Sequence, residues 1–382
     1  MIRVGLLPGD GIGPEVVREA RRVLEAVAAA GLAELSFREF PHGAEHYLAT
    51  GETLGEEAFA ALRDETDAIL LGAVGDPRVP DNRHAHDILL GLRFRLDLYV
   101  NLRPARLRVP RLSPLRAAGA PIDFVIFREN TEGLYAGVGG NLREGTAEEV
   151  AVSENLATRR GVERIVRAAF AYAERTGRAR VTLADKANAV PHVYGLWRRV
   201  FGEVASEYGG IEAETRYVDA LAMELVRRPE RFSVIVTDNL FGDILSDLAA
   251  ELVGGMGVAP SANIRPDGAG VDGPGLYEPV HGSAPDIAGR GEANPMAAIL
   301  SAALLLEHAG ATDGARRVDD AVTAALEAGV VTPDLGGDRS TEEVGARVAD
   351  RVESGASSAA ARAPGRRAHR GRPPGGTEES TD

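Results

Sequence analysis

The chain has 382 residues, a formal net charge of −14, 44% hydrophobic and 26% charged residues, and no cysteine. Single hydrophobic cores rarely grow past about 250–300 residues, so this length implies two lobes, and the composition implies a folded globule rather than a disordered chain. Without cysteine there are no disulfides, thiolate nucleophiles, cysteine-ligated zinc sites or iron–sulfur clusters. The acidic balance argues against a general nucleic-acid or anionic-membrane binder, which needs clustered positive charge.

The start of the chain lacks the basic and apolar regions of a signal peptide, and no apolar run approaches the roughly 20 residues that span a bilayer. A soluble cytoplasmic protein is expected. Ile2 to Leu7 reads as a buried strand running into Pro8-Gly9-Asp10-Gly11-Ile12-Gly13-Pro14, after which Val16, Val17, Ala20, Val23, Leu24 and Val27 recur at helical spacing. Ala68–Leu71, Phe124–Phe127, Val181–Leu183 and Val234–Val236 read as further strands. Helical patterns over Val162–Ala173, Tyr194–Ala205 and Pro295–Leu306 lie among them. This alternation implies an α/β architecture with a parallel or mixed sheet. From about Glu353 to residue 382 the composition turns to Ser, Ala, Gly, Pro and Arg, which predicts a disordered tail.

Gly9-Asp10-Gly11-Ile12-Gly13 has the wrong spacing for the dinucleotide fingerprint and indicates only a tight turn. More telling, every one of the 43 basic residues except Lys186 is arginine. Arginine serves wherever charge alone matters but does not release its proton, so the one lysine points to a chemical role. In Thr237-Asp238-Asn239-Leu240-Phe241-Gly242-Asp243-Ile244-Leu245-Ser246-Asp247, the two aspartates four apart share one helix face, where like charges repel. Interaction with the helix dipole suits Asp243 better than Asp247, whereas Mg²⁺ or Mn²⁺ suits both and requires a third carboxylate or the substrate. Arg93, Arg103 and Arg128 each lie among apolar residues near element ends. If they converge, they form a site for a di- or tricarboxylate; singly, each suits a structural ion pair. The small-residue stretch from Glu278 to Gly289, followed by Asn294-Pro295, allows close backbone approach to phosphates, and is equally an ordinary loop before a helix.

Taken in order, Pro8-to-Val16, Asn101-Leu102-Arg103-Pro104, Arg128-Glu129-Asn130-Thr131-Glu132-Gly133-x-Tyr135, Asp185-Lys186-Ala187-Asn188, Asp219, the Asp243/Asp247 segment and the His281-to-Asn294 loop resemble the β-decarboxylating dehydrogenases, the family of isocitrate, 3-isopropylmalate, homoisocitrate and tartrate/D-malate dehydrogenases. The resemblance covers roughly residues 2–350. It implies a two-domain α/β fold of the isopropylmalate-dehydrogenase type, with a mixed parallel/antiparallel sheet flanked by helices and no Rossmann fold. Residues 1–98 and 254–350 would form a large, NAD-binding domain, and 99–253 a small domain carrying the substrate, metal and dimer surfaces. It further implies a homodimer with shared active sites, NAD, and Mg²⁺ or Mn²⁺. Arg93, Arg103 and Arg128 would hold substrate carboxylates. Asp219, also placed at the substrate, would bind metal with Asp243 and Asp247. Lys186 would assist loss of the hydroxyl proton and Tyr135 would protonate the carbanion carbon, with Lys186 and Asp219 supplied by the neighbouring chain. Glu278, His281, Gly282, Ser283, Ala284, Asp286 and Asn294 would hold the cofactor, with Asp286 on the adenosine ribose favouring NAD over NADP.

Leu89 and Leu90 stand where isocitrate enzymes carry small polar residues, and resemble an alkyl-contacting pair. They imply 3-isopropylmalate, oxidised and decarboxylated to 4-methyl-2-oxopentanoate in leucine biosynthesis. His86, near a position often held by glutamate, and the Asn130–Gly133 segment lean instead toward tartrate or D-malate, with homoisocitrate third. A non-catalytic regulatory subunit of such an enzyme is the reading from another class; retention of Lys186, Tyr135 and all three metal aspartates stands against it.

Overall fold

The computed structural model describes residues 1–115, 121–267, 270–271 and 273–355. In chain order the elements are β1 (Ile2–Gly9), α1 (Gly13–Ala29), β2 (Leu35–Glu39), α2 (Ala44–Thr50), α3 (Glu56–Glu65), β3 (Ala68–Ala73), α4 (Arg83–Arg95), β4 (Val100–Arg106) and β5 (Asp123–Glu129). A hairpin β6 (Gly139–Leu142) and β7 (Val150–Ser153) follows, then α5 (Arg159–Thr176), β8 (Arg180–Asp185), α6 (Pro191–Ala205), β9 (Glu212–Tyr217), α7 (Val218–Arg227), β10 (Val234–Thr237) and α8 (Asn239–Val253). The chain ends with β11 (Pro260–Ile264), the short pair β12 (Pro266–Asp267) and β13 (Gly270–Val271), β14 (Gly275–Pro279), α9 (Met296–His308), α10 (Thr312–Glu327) and α11 (Thr341–Ser354).

Ten strands make one sheet in the order β2-β1-β3-β14-β11-β4-β5-β10-β8-β9. The outer strands on each side are parallel, and β11 and β4 run antiparallel to their neighbours on both sides. The apolar runs read from the sequence are the buried parallel strands, where both faces are covered and alternation disappears. On one face a continuous core joins α1, α5, α6 and α9 to the sheet. Helix α9, almost wholly Ala, Leu and Ile, is buried on nearly every side. On the other face the apolar packing divides in two. One cluster centres on Leu62, Ile69, Ile88 and Leu92, the other on Phe124, Ile126, Leu221 and Leu245. The gap between them is the cleft described below.

One local reading needs correction. Glu353 and Ser354 belong to the last turn of α11 rather than to a disordered tail, because the Ser340–Glu343 capping box starts a helix that runs on to Ser354. The rest of the proposed tail, 356–382, lies outside the described residues. The glycine-rich turn after β1 exists because backbones meet there. A Cβ on Gly11 would stand 2.0 Å from Ser283 O, and one on Gly13 would stand 2.2 Å from Pro8 O. Gly13→Ala should therefore cost about 1–3 kcal/mol through overpacking and lower the thermal midpoint by several degrees. Gly202→Ala, in α6 with nothing within 4 Å of the new Cβ, should instead stabilise by about 0.5–1 kcal/mol. Calorimetry of the two variants checks both signs.

Candidate active site

The sheet face beneath the cleft carries a polar stripe. Strand register pairs Ser261 with Glu278, Asn263 with Asn101, and Asn101 with Arg128, so these side chains and Arg103, two residues from Asn101, project from one face. They are buried and bonded to one another. Glu278 Oε1 accepts from Arg93 Nη2 at 2.8 Å and from Asn263 Nδ2 at 2.8 Å. Asn101 Nδ2 donates to Asn263 Oδ1 at 2.8 Å and to Ser261 Oγ at 3.0 Å, while its Oδ1 accepts from Arg103 Nε at 2.7 Å. A chain of side chains thus runs from Arg93 on α4 to Arg103 on β4.

The three sequence-selected arginines converge. Arg93, Arg103 and Arg128 are 4%, 8% and 2% exposed and all line the cleft. Burial pulls the Arg128 guanidinium down to about 9, with repulsion from Arg103 and Arg93 adding to the effect. Burial and Arg93 likewise pull Arg103 down. Arg128 lies close along α8 because residue 242 is glycine: a Cβ there would be 2.5 Å from Arg128 Cγ. Its Nε donates to Asn239 Oδ1 at 2.9 Å, and its Nη1 pairs with Asp243.

Helix α8 supplies the acids. Its N-cap is Asp238, whose side chain accepts from Phe241 N at 2.8 Å; Asp243 lies beyond the first turn, so the helix dipole does not explain it. Burial pushes Asp243 up, but Arg128, the Tyr135 hydroxyl, Arg103 and Arg93 together hold it below the usual carboxylate range. Asp247 lies 3.7 Å from Arg103 and is raised, by burial first and then by Asp243. Tyr135 Oη donates to Asp243 Oδ2 at 2.9 Å; burial and that carboxylate raise its pKa, keeping it a proton donor.

Lys186 and Asp219 are not brought to this cleft. The parallel pairing of β8 with β9 sets Asp185 beside Tyr217, so the residues just past the two strand ends meet. Lys186 Nζ lies 2.7 Å from Asp219 Oδ1, and this bond holds Asp219 below its ordinary value. Fully buried Asp185 fixes the turn, accepting from Ala187 N at 2.8 Å and Arg198 Nε at 2.7 Å. Both Lys186 and Asp219 face outward, and among the described residues no group of three His, Cys, Asp or Glu is placed to hold a metal within one chain.

The cleft, of about 460 Å³, is lined further by Leu89, Leu90, Ala85 and His86 of α4, by Tyr135 and Asp243, and by Glu278 through Gly282. His86 stands at its mouth, 67% exposed and 3.5 Å from Asp87. His281 Nε2 is buried without a partner, and burial lowers the ring's pKa. Beyond it, Ser283 O accepts from Ile12 N at 2.8 Å, Ala284 has φ 37°, and Asp286 is exposed. Asn294 faces away from the cleft lining, where it accepts from Met296 N and donates to Asp334. Sequence reasoning missed Asn101, Ser261, Asn263 and Asn239. Each is a polar residue at a buried position of its element, but the partners of the strand residues lie some 160 residues away.

The cleft thus combines clustered buried arginines, paired helix carboxylates and an adjoining small-residue loop on a sheet floor. The isocitrate/isopropylmalate dehydrogenase family model matches residues 3–348. The chain is 49% identical over 353 residues to the 3-isopropylmalate dehydrogenase of Thermobifida fusca, covering 92% of this chain and 98% of that one. To the enzyme of the same name from Streptomyces coelicolor it is 50% identical over 353 residues, with the same shares covered. Its fold matches the crystal structure of isocitrate dehydrogenase from Methylococcus capsulatus with a TM-score of 0.83 and 39% identity, over 92% of this chain and 100% of that one. The chain belongs to the isocitrate/isopropylmalate dehydrogenase family and is a dehydrogenase of that type.

The arginines of the cluster repel one another, and a dicarboxylate placed among them would relieve that repulsion. Arg103→Met removes one buried charge but leaves Asn101 Oδ1 without its donor, so the free protein's thermal midpoint should stay within about 2 °C of wild type. Saturating D-malate with Mg²⁺ should stabilise wild type by about 2–3 kcal/mol at a hundredfold over Kd. Arg103→Met should lose most of that rise, as thermal scans with and without ligand will show.

Proposed function

We propose that the protein catalyses NAD-dependent, metal-assisted oxidative decarboxylation of 3-isopropylmalate to 4-methyl-2-oxopentanoate, a step of leucine biosynthesis. The observation that carries this reading is the convergence of Arg93, Arg103 and Arg128 opposite the Leu89–Leu90 wall in one cleft, charge for two carboxylates facing apolar surface for an alkyl group. The names and identities of the relatives support the same choice.

The chain is read as two domains, residues 1–98 with 254–350 and residues 99–253, a division supported by the two separate apolar clusters flanking the cleft. The working unit is read as a homodimer in which Lys186 and Asp219 reach the partner's cleft. Their outward position supports this, as do Leu142, Val150 and Val152 of the hairpin, Met223 and Val226 of α7 and Ile244 of α8, all exposed apolar side chains that a second copy would cover. Asp243 and Asp247 provide two oxygen donors of the kind Mg²⁺ or Mn²⁺ takes, and the partner's Asp219 would complete the set. His281 Nε2, buried and unpaired, is an open hydrogen-bonding position for a cofactor, and the Glu278–Asp286 stretch with Asn294 is assigned to NAD.

When bound, the cation supplies Lewis-acid stabilisation of developing oxygen charge and the oxidised nicotinamide accepts the hydride. The three arginines orient the substrate carboxylates. Lys186 takes the proton of the 2-hydroxyl as its carbon loses hydride, a role closed to arginine because guanidinium does not cycle through a neutral form. After CO₂ departs, leaving its electron pair as an enolate, Tyr135 Oη delivers a proton to the carbon. Exposed Asp286 would accept the ribose hydroxyls and repel a 2′-phosphate. No helix among the described residues is long and apolar enough to cross a membrane, and a cytoplasmic location is part of the proposal.

The test is NAD⁺ reduction with Mg²⁺ or Mn²⁺ on isopropylmalate, D-malate, tartrate, homoisocitrate and isocitrate. A kcat/KM for isopropylmalate about a hundredfold above D-malate is expected, from one buried branched alkyl group; the reverse order overturns the substrate. Lys186→Arg should retain substrate binding and lose at least about a hundredfold in turnover, the usual worth of a general base. Lys186→Arg and Asp243→Asn chains, each inactive alone, should regain about a quarter of wild-type activity when unfolded and refolded together, because half of random dimers carry one intact shared site. No recovery would place the lysine and the α8 acid in the same chain's site.

A further inference from the structure

Helix α4 walls one side of the cleft, and a group that takes no part in the chemistry above fastens its N-terminal end. His84, in the first turn, is fully buried. Its Nε2 lies 2.8 Å from Asp10 Oδ2, and its Nδ1 has no hydrogen-bond partner. The tautomer with the proton on Nε2 is therefore the one that leaves no buried donor unpaired. Asp10, in the turn after β1, is itself 6% exposed and accepts from Ala44 N at 2.6 Å and Gly75 N at 2.8 Å. One carboxylate thus ties together the β1–α1 turn, the start of α2, the turn after β3 and the start of α4. There is no slack around it: a Cβ on Gly43 would stand 2.5 Å from Asp10 Oδ1.

The backbone entering α4 is strained. Asp81 and Asn82, both lining the cleft, adopt left-handed φ values of 55° and 51°. Two successive non-glycine residues hold such conformations only where the surroundings over-determine them, and such strain concentrates at functional sites. Asn82 Oδ1 accepts from Asp76 N at 3.1 Å, and the His84–Asp10 bond holds the chain two residues on. The far end of α4 is fixed separately, by Arg93 on Glu278. Leu89 and Leu90 lie between these two fastenings.

We propose that His84, held by Asp10, is a positioning residue that sets the distance between the Leu89–Leu90 wall and the arginine cluster, and so decides how large a substituent the substrate carries. The identity of that substituent rests on the function proposed above. Releasing His84 lets the turn at 81–82 relax and α4 swing about its Arg93 end. The arginine that grips carboxylate stays in place while the alkyl wall moves. This predicts a loss of size discrimination rather than of chemistry.

The experiment compares kcat/KM for 3-isopropylmalate and D-malate in wild type, His84→Ala and His84→Gln, at saturating NAD⁺ and Mg²⁺. His84→Ala should shift the isopropylmalate-to-D-malate ratio at least about tenfold, through KM for isopropylmalate, with kcat on D-malate held within about threefold. His84→Gln, which keeps an N–H donor for Asp10, should restore the ratio to within about threefold. If His84→Ala does not fold, Asp10→Asn carries the same measurement with the same expected shift. A ratio unchanged within about twofold, or equal losses on both substrates, overturns the proposal. The wild-type ranking alone tests the substrate assignment, and the shift on substitution tests the positioning role whichever substrate wild type prefers.

Discussion

Three guanidinium groups gathered at the floor of one cleft are the constraint around which the rest of this molecule is arranged. Each is almost entirely removed from water, and taking an ion out of water costs on the order of several kcal/mol even after relaxation. The fold meets that cost with bonds that neutralise or satisfy each group: Glu278 for Arg93, Asn101 and Ser246 for Arg103, Asn239 and Asp243 for Arg128. The Arg128 guanidinium is nonetheless pulled down, by burial first and then by repulsion from Arg103 and Arg93. A free protein holding such a site is less stable than it could be, and under the proposed function that deficit would become binding energy when a dicarboxylate enters.

The sheet explains why such a cluster can exist at all. Parallel strands are covered on both faces by apolar contacts, leaving little room for polar side chains. Here the middle of the sheet reverses direction at β11 and β4, and the helices on the cleft side divide around that reversal. The stripe Glu278, Ser261, Asn263, Asn101, Arg103 and Arg128 meets α8 only at its Arg103–Arg128 end, and its members largely satisfy one another. Asn263 links the two sides, accepting from Asn101 while donating to Glu278. Removing that amide would take one bond from Glu278 and one from Asn101 while Arg93 and Ser261 kept theirs, so the loss would be shared across the network.

The parts of this arrangement that were legible from sequence are those set by local period. The strand at Ala68–Leu71 follows from a short unbroken apolar run and the helix that aligns Asp243 with Asp247 from a spacing of four residues, and both are present. Convergence of Arg93, Arg103 and Arg128 does not follow from spacing, because it depends on strand register and on α4 lying over the sheet; resemblance to a known family supplied that expectation. The asparagines of the stripe were illegible for the same reason. Asn101 and Asn263 are partners across 162 positions, and nothing within a dozen residues of either marks it as buried. His84 is the sharpest case: in sequence it is one of two histidines opening a helix, and only its burial against Asp10 separates it from exposed His86.

Lys186 shows composition and geometry answering different halves of one question. Its ion pair with Asp219 follows from the parallel register of β8 and β9, and an arginine at the same place would form such a pair at least as well. Pairing therefore gives no reason for lysine in a chain that uses arginine at every other basic position. Asp185, the preceding residue, is held by Arg198, and Asp219 would remain as acceptor for an arginine at 186, which would lose only the ability to give up a proton. Under the proposed mechanism, proton exchange is what lysine offers at this one position and arginine does not. In the proposed homodimer, a lysine that exchanges a proton beside a carboxylate needs that carboxylate engaged elsewhere, as it would be if Asp219 turned toward a cation held with the partner's Asp243 and Asp247.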